Sequence, residues 1–464
     1  MHADSNWLDF DPEKMVQGDR DFLWHHLKPH KVFQASEQMI IVEGKGLRVK
    51  DIRGREYLDA TSGGVWSVIV GHGRESIAAA IYDQLKVLGY YAGTVGNIPS
   101  IKFAKKLIEL LPRLGKVFFS NSGSEANEKA FKIVRQLSHI DDTRKGKFKV
   151  LFRNRDYHGT TIGALSATGQ RERKEQFGPF AEGFAEFAHP LCYRCAFDKS
   201  YPSCDLECAR SLEDVILKEG PDSVGGCIVE PITAGGGILI PVDEYYPILQ
   251  NICRKYGVYL IMDEVVCGFG RTGKFWGHEH YNVDPDMITM AKGLASSYMP
   301  LSATVVRQEI YEKFLCDPND PQKRMDYFRD ISTYGGCVGA MSAALETTRI
   351  IEDEKLVENS RLMGAYFLDS LKAFSDMPMV GDVRGRGLFC GVEFVKDKKT
   401  KTPITEAEMA RLMGLVANEG VLAGKTTSSL PGNNTIMNFA PALIAQKNDI
   451  DEIVTALRKA IEKF

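Results

Sequence analysis

The sequence predicts an α/β protein with a large domain on a mostly parallel sheet and a smaller α+β domain built from both termini. In the middle of the chain, short apolar runs alternate with amphipathic helical patterns. This alternation is typical of parallel strands joined by helices that cover both faces of the sheet. Toward the C-terminus two apolar runs follow each other closely, which favours an antiparallel strand pair.

The large domain is predicted over residues 65–335, where the alternation is found. Its clearest strands are expected at 117–121, 149–153, 227–232 and 258–265, with a helix over about 124–137. Each strand is short and apolar, and each is followed or preceded by a helical pattern. The region is therefore expected to supply the main sheet.

The small domain is predicted from an N-terminal segment, 1–64, and a C-terminal segment, 336–464. Its elements are expected to be a hairpin at 38–59, a helix from about 340, a strand pair at 380–395 and a last helix over 450–464. Because the first and last segments would share one domain, the chain should leave the small domain and return to it.

Composition excludes several functional classes. The chain has 464 residues, 26% of them charged, and a formal net charge of −3, so no basic surface for nucleic acid or an anionic membrane is expected. The apolar windows 257–262 and 225–232 are far shorter than the roughly 20 residues of a membrane span. The first residues are acidic and no apolar stretch follows them, unlike a secretory signal. We therefore expect a cytoplasmic protein.

The run 258–273 places acidic side chains at the end of a predicted strand. Either Asp263 or Glu264 would lie at the carboxyl end of that strand, where ligands bind in open α/β sheets. Many α/β proteins end a strand with aspartate for structural reasons, so this feature alone does not identify a site.

Lys292 has apolar neighbours on both sides, including Met290, Ala291 and Leu294. Most lysines are solvated surface charges, but these neighbours favour a desolvated amine. Desolvation lowers the pKa of a lysine and prepares it for Schiff-base chemistry.

The segment 118–133 has the pattern of a strand, a Ser/Gly turn and a helix. Free backbone N–H groups at Gly123 and Ser124 would meet the positive end of the helix dipole, which favours an anion. A capping loop without a ligand remains the alternative.

Together these segments resemble the class III (ω-type) aminotransferases of fold type I, which depend on pyridoxal 5′-phosphate (PLP). The family's motifs occur in its order: SGSEAN at 122–127, YHG at 157–159, VEP at 229–231, DEVxxGFGRTG at 263–273, KG at 292–293 and TYGG at 333–336. The resemblance extends from about Lys31 to Phe464. It implies a seven-stranded main sheet and a homodimer or tetramer with active sites at the subunit interface.

The resemblance also implies roles for individual residues. Lys292 would form the Schiff base with PLP and move the substrate proton, while Asp263 would keep the pyridine nitrogen protonated. The remaining cofactor-binding residues would be Ser122, Gly123 and Ser124 at the phosphate, Tyr157 and Val265 on the two ring faces, His158 and Gly159 of the YHG motif, Glu230 near the phenolic oxygen, and Thr333 reaching the phosphate of the neighbouring subunit.

The substrate-binding region departs from the family's pattern. Residues 421–434 lack the arginine that many members use for a substrate carboxylate, and Lys425 is the only cation there. A lysine lacks the bidentate fork with which arginine binds a carboxylate. Replacing arginine by lysine would therefore weaken the binding of a tetrahedral sulfonate less than that of a carboxylate. Lys425 as a solvated loop residue is the alternative. Arg386 is a second candidate for binding a carboxylate, or else a structural arginine, and Trp66 is expected over the substrate.

Two blocks, 14–33 and 59–73, are most similar to the branch of the family that transfers the amine of taurine to pyruvate. That branch implies taurine as donor and pyruvate as acceptor, with β-alanine, hypotaurine or 4-aminobutyrate as alternative donors. An aminomutase, racemase or decarboxylase on the same fold is a second hypothesis. A non-catalytic binding protein is a third, and the presence of both Lys292 and Asp263 argues against it.

A cysteine cluster at 192–208 falls outside these motifs. Cys192, Cys195, Cys204 and Cys208 resemble a four-thiolate zinc knuckle, although the spacing is not a standard one. Reduced packing cysteines and labile disulfides are the alternatives. PLP chemistry itself needs no metal, so no catalytic metal is expected. The sequence also assigns no role to Cys337, which stands where many members have histidine.

Overall fold

The computed structural model describes residues 10–426 and 433–464, and its N-terminal part combines two helices with a small sheet. The helices are α1 (Pro12–Phe22) and α2 (His30–Ala35), and the strands are β1 (Ile41–Lys45), β2 (Arg48–Asp51) and β3 (Glu56–Asp59). Adjacent strands pair antiparallel. The predicted hairpin is present, and the third strand extends it.

A seven-stranded sheet occupies the centre of the molecule. Its strands are β4 (Lys116–Ser120), β5 (Lys149–Arg153), β6 (Phe184–Phe187), β7 (Val224–Val229), β8 (Tyr259–Asp263), β9 (Met287–Met290) and β10 (Ser302–Val306). The order is β4-β10-β9-β8-β7-β5-β6. Only β10 runs antiparallel to its neighbours, whereas the other pairs are parallel. The predicted mostly parallel seven-stranded sheet is confirmed.

Helices cover both faces of this sheet. They are α3 (Glu75–Val87), α4 (Ile98–Leu110), α5 (Gly123–Ile140), α6 (Ile162–Ser166), α7 (Arg171–Lys174), α8 (Glu207–Glu219), α9 (Tyr245–Tyr256) and α10 (Gln308–Glu312). On β8, Leu260 and Met262 pack into one hydrophobic cluster, while Ile261 packs into a second with Val134 of α5. Burial of alternate residues on opposite faces explains why the strand is an unbroken apolar run.

Short single-turn helices connect several of these elements. A π-turn covers Ser62–Trp66, and 3₁₀ turns cover Asp142–Arg144, Gly277–Tyr281, Lys292–Leu294 and Thr333–Gly336. Three of these turns hold residues with sequence-predicted roles, namely Trp66, Lys292 and Thr333.

The C-terminal part adds four helices and six strands to the described chain. They are α11 (Val338–Asp353), α12 (Leu356–Lys372), β11 (Val380–Gly385), β12 (Cys390–Asp397), β13 (Thr402–Pro403), α13 (Glu406–Asn418), β14 (Val421–Leu422), β15 (Gly424–Thr426), β16 (Ile436–Phe439) and α14 (Lys447–Glu462). Strand β14 pairs in parallel with β3, so the N-terminal strands join the C-terminal part. Residues 427–432 of the stretch considered for substrate binding lie outside the described residues.

Two further expectations concern membranes and cysteines. Of the helices that the structure describes, none is both long and apolar enough to cross a bilayer. All ten cysteines are free thiols. Within residues 10–426 and 433–464, no group of three or more His, Cys, Asp or Glu side chains is arranged to hold a metal ion.

Candidate active site

A cavity of about 390 Å³ opens at the carboxyl ends of the parallel strands. This is where an open α/β sheet binds its ligands. It brings together most of the predicted site residues with several others. Its lining is Val65, Ser67, Asn121, Ser122, Gly123, Ser124, Asn127, Tyr157, His158, Gly159, Glu230, Asp263, Val265, Val266, Ala291, Lys292, Ser297, Met299, Pro300 and Leu301.

Lys292 enters this cavity from the turn that follows β9. Its φ is +45°, a left-handed conformation that costs a non-glycine residue energy and is concentrated at functional sites. A Cβ on the next residue, Gly293, would lie 3.0 Å from Ile69, so the chain passes too close to its neighbours there for a larger residue. The backbone is thus held in a conformation that directs one amine inward.

The electrostatic surroundings of Lys292 favour the neutral amine. Burial lowers the pKa of Lys292, while the charges of Asp263 and Glu230 oppose that shift. Its Nζ lies 5.9 Å from the ring centroid of Trp66. A lysine of this kind is a nucleophile and a base at a pH where a surface lysine is protonated.

Asp263 ends β8 and is held by three donors. Its Oδ2 accepts hydrogen bonds from Nδ2 of Asn127 and Nδ1 of His158, both at 2.8 Å. Its Oδ1 accepts from the backbone N–H of Val265 at 3.0 Å. Asn127 and His158 are tied together as well, because the same Nδ2 donates to the carbonyl oxygen of His158 at 2.7 Å. These bonds fix the orientation of a buried carboxylate in the cavity.

The structure resolves the choice between the two acids at this strand end. Glu264 points away from the cavity and accepts hydrogen bonds from the N–H groups of Gly277 and His278, both at 2.9 Å, and from Nδ1 of His278 at 2.8 Å. It therefore organises the following loop. Asp263 is the acid that lines the cavity.

The first turn of α5 contains the residues predicted to form an anion cradle. Ser122 caps the helix, and its Oγ accepts from the N–H of Glu125 at 3.3 Å. The N–H groups of Gly123 and Ser124 have no acceptor among the described residues, so they are available to an anion.

Gly159 makes the closest approach to this cradle. Its φ is +141°, and a Cβ there would lie 2.3 Å from Oγ of Ser124. The next residue, Thr160, donates its N–H to the same Oγ at 3.0 Å. The YHG segment therefore positions Ser124, which explains why glycine is needed at this point.

Glu230 is a buried acid at the far wall of the cavity. Its carboxylate accepts from the N–H groups of Tyr157 at 2.8 Å and Ala234 at 3.0 Å. Burial and the charges of Asp156 and Asp263 raise the pKa of Glu230 well above its ordinary value. A carboxyl group in this position holds a proton that it can offer as a hydrogen-bond donor.

Tyr157 and Val265 contribute the remaining walls near Lys292. A Cβ on Gly123 would lie 3.0 Å from Cγ2 of Val265, so this side chain closes the cavity against the cradle. Burial raises the pKa of Tyr157, which keeps its phenol neutral. Both side chains line the cavity that Lys292 enters.

The predicted substrate residues divide into two groups. Trp66 lies beside Lys292, and its Nε1 donates to Oδ1 of Asn438 at 2.9 Å. Lys425 is exposed and pairs with Glu406 at 3.1 Å. Arg386 has its Nη2 3.6 Å from Asp243. The structure does not bring these two cations to the cavity, and their contacts with substrate stay predictions.

Thr333 is also remote from the cavity of its own chain. It is exposed and lies in the turn Thr333–Gly336, and it does not belong to the described lining. Sequence reasoning had assigned it to the phosphate of a neighbouring subunit, and an exposed position leaves it available to one. Asn127, which donates to Asp263, is one of the lining residues that the sequence did not single out, although it lies within the SGSEAN motif.

Comparison with known proteins gives matches over nearly the whole chain. A family model described as "Aminotransferase class-III" matches residues 32–461. The taurine–pyruvate aminotransferase of Bilophila wadsworthia is 50% identical over 454 residues, with 98% of each chain covered. A hypotaurine/taurine–pyruvate aminotransferase of Paracoccus denitrificans is 48% identical, covering 98% of this chain and 99% of the relative. The solved structure of a Bacillus anthracis aminotransferase matches with a TM-score of 0.91 at 40% identity, covering 97% of this chain and 98% of that one.

Proposed function

The chain belongs to the class-III aminotransferases, and on this premise we propose that it transfers the amino group of taurine to pyruvate. The products are sulfoacetaldehyde and L-alanine. The observation that carries the proposal is the pairing of a buried, neutral-favouring Lys292 with a strand-end carboxylate, Asp263, in one cavity. The choice of taurine is supported by the names of the relatives at 48–50% identity.

PLP is the cofactor of the proposal, and the residues fit it. The free N–H groups at Gly123 and Ser124 suit its phosphate, Asp263 suits a protonated ring nitrogen, and Lys292 suits its aldehyde. When bound, PLP supplies a carbonyl that condenses with amines and a ring that accepts the electron pair of a broken C–H bond. The protein itself has to hold the cofactor, orient the donor against it and move protons between the reacting atoms.

Lys292 is the residue that moves the proton. Its neutral amine would accept the proton from the donor carbon that carries nitrogen, and the resulting ammonium would deliver a proton to C4′ of PLP, so that the donor carbon can leave as the aldehyde. In the second half of the reaction it supplies the proton at the α-carbon of alanine. General acid–base catalysis of this kind needs a pKa near the working pH, which the burial of Lys292 favours.

Asp263 and Glu230 act by orientation and charge. Asp263 is held by Asn127 and His158 and would place a negative charge at the ring nitrogen. Glu230 carries a proton because its pKa is raised, so it would donate a hydrogen bond to an oxygen on the ring rather than repel it. Neither residue needs to move during turnover.

Hypotaurine is a second candidate donor, because the name of the Paracoccus relative includes it. It differs from taurine in carrying a sulfinate instead of a sulfonate. Both donors have a primary amine and an anionic sulfur group two carbons away, so one site could accept both.

The proposal includes a homodimer, or a tetramer built from dimers, with active sites at the subunit interface. Exposed large apolar side chains support it, since larger exposed apolar patches mark protein–protein contact surfaces. The most exposed among the described residues are Phe22 at 86%, Trp24 and Val87 at 83% and Leu27 at 79%. A cytoplasmic location is part of the same proposal, and free thiols at all ten cysteines are usual in a reducing compartment.

The test is to incubate the holoenzyme with taurine and pyruvate and to quantify both products. Alanine and sulfoacetaldehyde should form in equal amounts, and neither should form when the keto acid is left out. Rearrangement of the donor without any keto acid would instead identify an aminomutase. If the enzyme turns over β-alanine or 4-aminobutyrate but not taurine, it remains an aminotransferase and the proposal of taurine as its donor is wrong.

A further inference from the structure

The anionic end of the proposed donor requires a cation, and several cationic side chains of the described chain are already engaged with other groups. Carboxylates pair with Lys425, Arg386, Arg153 and Arg384. The buried Arg271 donates to backbone carbonyl oxygens and a serine hydroxyl. A side chain that already neutralises a carboxylate has to break that pair before it can bind a substrate anion.

Arg173 differs from these residues. It lies on the short helix α7 and is half-buried, and it forms no ion pair with any described residue. The one hydrogen bond that its side chain makes to a described residue is long, 3.4 Å from Nε to Oε1 of Gln170. The adjacent carboxylate, Glu172, lies near enough to Arg155 to act on the charge of that residue and does not pair with Arg173.

The guanidinium of Arg173 lies against the wall of the cavity. Its Cζ is 5.7 Å from the ring centroid of Tyr157, which is within the range of a cation–π contact. Tyr157 lines the cavity that contains Lys292. Arg173 is therefore separated from the reacting centre by one side chain, and most of its N–H donors have no acceptor in the part of the chain that the structure describes.

From this placement, and resting on the proposed function, we propose that Arg173 determines donor specificity by binding the sulfonate of taurine. A guanidinium offers several N–H donors in a fixed fork, and it stays charged at every physiological pH. The contact with Tyr157 limits the positions that the long side chain can take. An amine donor would thus be held at both ends, with its nitrogen at Lys292 and its anionic group at Arg173.

This role predicts which donors the site favours. A short donor with an anion two carbons from the amine can satisfy Arg173 and Lys292 together. A donor without the anion leaves Arg173 unpaired in a partly desolvated position, which weakens binding. L-alanine carries its carboxylate on the reacting carbon, so it does not depend on a cation at this distance.

The test is a titration with taurine, without keto-acid acceptor, that follows the conversion of bound PLP to its amine form. Four proteins are compared: wild type, Arg173→Gln, Arg173→Lys and Arg171→Gln. Arg171 is exposed on the same helix and serves as the matched control. The half-saturating taurine concentration should rise about tenfold or more in Arg173→Gln, a factor that corresponds to about 1.4 kcal/mol. The limiting rate should change by less than about threefold. Arg173→Lys should recover part of the loss, and Arg171→Gln should match wild type.

The reverse half-reaction with L-alanine separates specificity from general damage. In Arg173→Gln its half-saturating concentration should stay within about twofold of wild type. Equal losses with taurine and L-alanine, or wild-type saturation with taurine in Arg173→Gln, would overturn the proposal. If the wild type converts with β-alanine and not with taurine, the proposed donor is wrong, and the same four proteins compared with β-alanine then test Arg173 by itself.

Discussion

Nδ1 of His158 lies 2.8 Å from Oδ2 of Asp263, and both side chains are buried. Because an ionised carboxylate only accepts hydrogen bonds, the imidazole donates from Nδ1. Nε2 of His158 has no partner among the described residues. His158 therefore holds the carboxylate of Asp263 in position, and we expect it to affect the reaction only through that carboxylate.

His158→Ala should lower kcat with taurine and pyruvate by roughly tenfold to a hundredfold, since a hydrogen bond to a charged group is worth about 1.5–3 kcal/mol. The KM for taurine should change little, because the role assigned to His158 is to hold Asp263. His158→Asn places an N–H donor near the position of Nδ1 and should recover part of kcat. Steady-state kinetics of the three proteins checks this, and wild-type kcat in His158→Ala would exclude a positioning role.

Lys292→Met should change how the stability of the cofactor-free protein depends on pH. The pKa of Lys292 is lowered by burial from its ordinary value of 10.5. Below 10.5 the unfolded chain binds a proton more firmly than the folded chain, so the free energy of unfolding rises with pH up to that value. Methionine fills similar space without a charge and should remove this rise.

Thermal unfolding of both cofactor-free proteins at pH 7 and pH 9 measures this effect. The wild type should gain stability over the interval relative to Lys292→Met, and the variant should be the more stable of the two at pH 7. A constant difference between the two proteins at both pH values would contradict a desolvated Lys292.

Gly159→Ala should weaken cofactor binding by about tenfold or more. The new Cβ would lie 2.3 Å from Oγ of Ser124, so the serine has to move away from the anion cradle. The φ of +141° adds backbone strain, of the order of 1–3 kcal/mol. Titration of the cofactor-free protein with PLP gives the affinity.

Gly54→Ala is the matched control for that variant. Gly54 also has a positive φ, +82°, but a Cβ there has no atom within 4 Å. Both variants should unfold at lower temperature, and only Gly159→Ala should lose PLP affinity. Equal affinities in the two variants would show that Ser124 does not depend on the approach of Gly159.

Cys208 should react slowly with iodoacetamide at neutral pH. Burial raises the pKa of Cys208 from 9.0 to about 11, so about a hundredfold less thiolate is present at pH 8 than in an unperturbed thiol. Its alkylation rate, followed by site-resolved mass spectrometry, should rise about tenfold per pH unit up to about pH 11. A rate that is independent of pH and increases on adding a chelator would instead indicate thiolates bound to a metal.

The main sheet could be predicted from the sequence because its strands are buried on both faces. The run 149–153 was predicted with the bounds that β5 has, and the helix after β4 differs by only a few residues. Apolar runs of this kind have one stable environment, between two layers of helices. The antiparallel direction of β10 has no comparable pattern in the sequence, since a buried strand is apolar in either direction.

The placement of Lys292 and Asp263 in one cavity could be predicted because each lies at or close to the end of a buried strand. Lys292 follows a buried strand directly, and Asp263 ends another. Asn127 was missed since its contact with Asp263 joins residues 136 positions apart. The ion pairs of Lys425 and Arg386 could not be foreseen for the same reason, because each partner lies on a different element.

The central claim is tested most directly by the absorbance of the holoenzyme during titration with taurine alone, followed by pyruvate. Taurine should shift the visible band to the near ultraviolet, and pyruvate should restore it. Lys292→Ala should show neither change, while a variant of an exposed lysine, Lys274→Ala, should behave as wild type. A holoenzyme whose band responds to L-alanine but not to taurine would contradict the account.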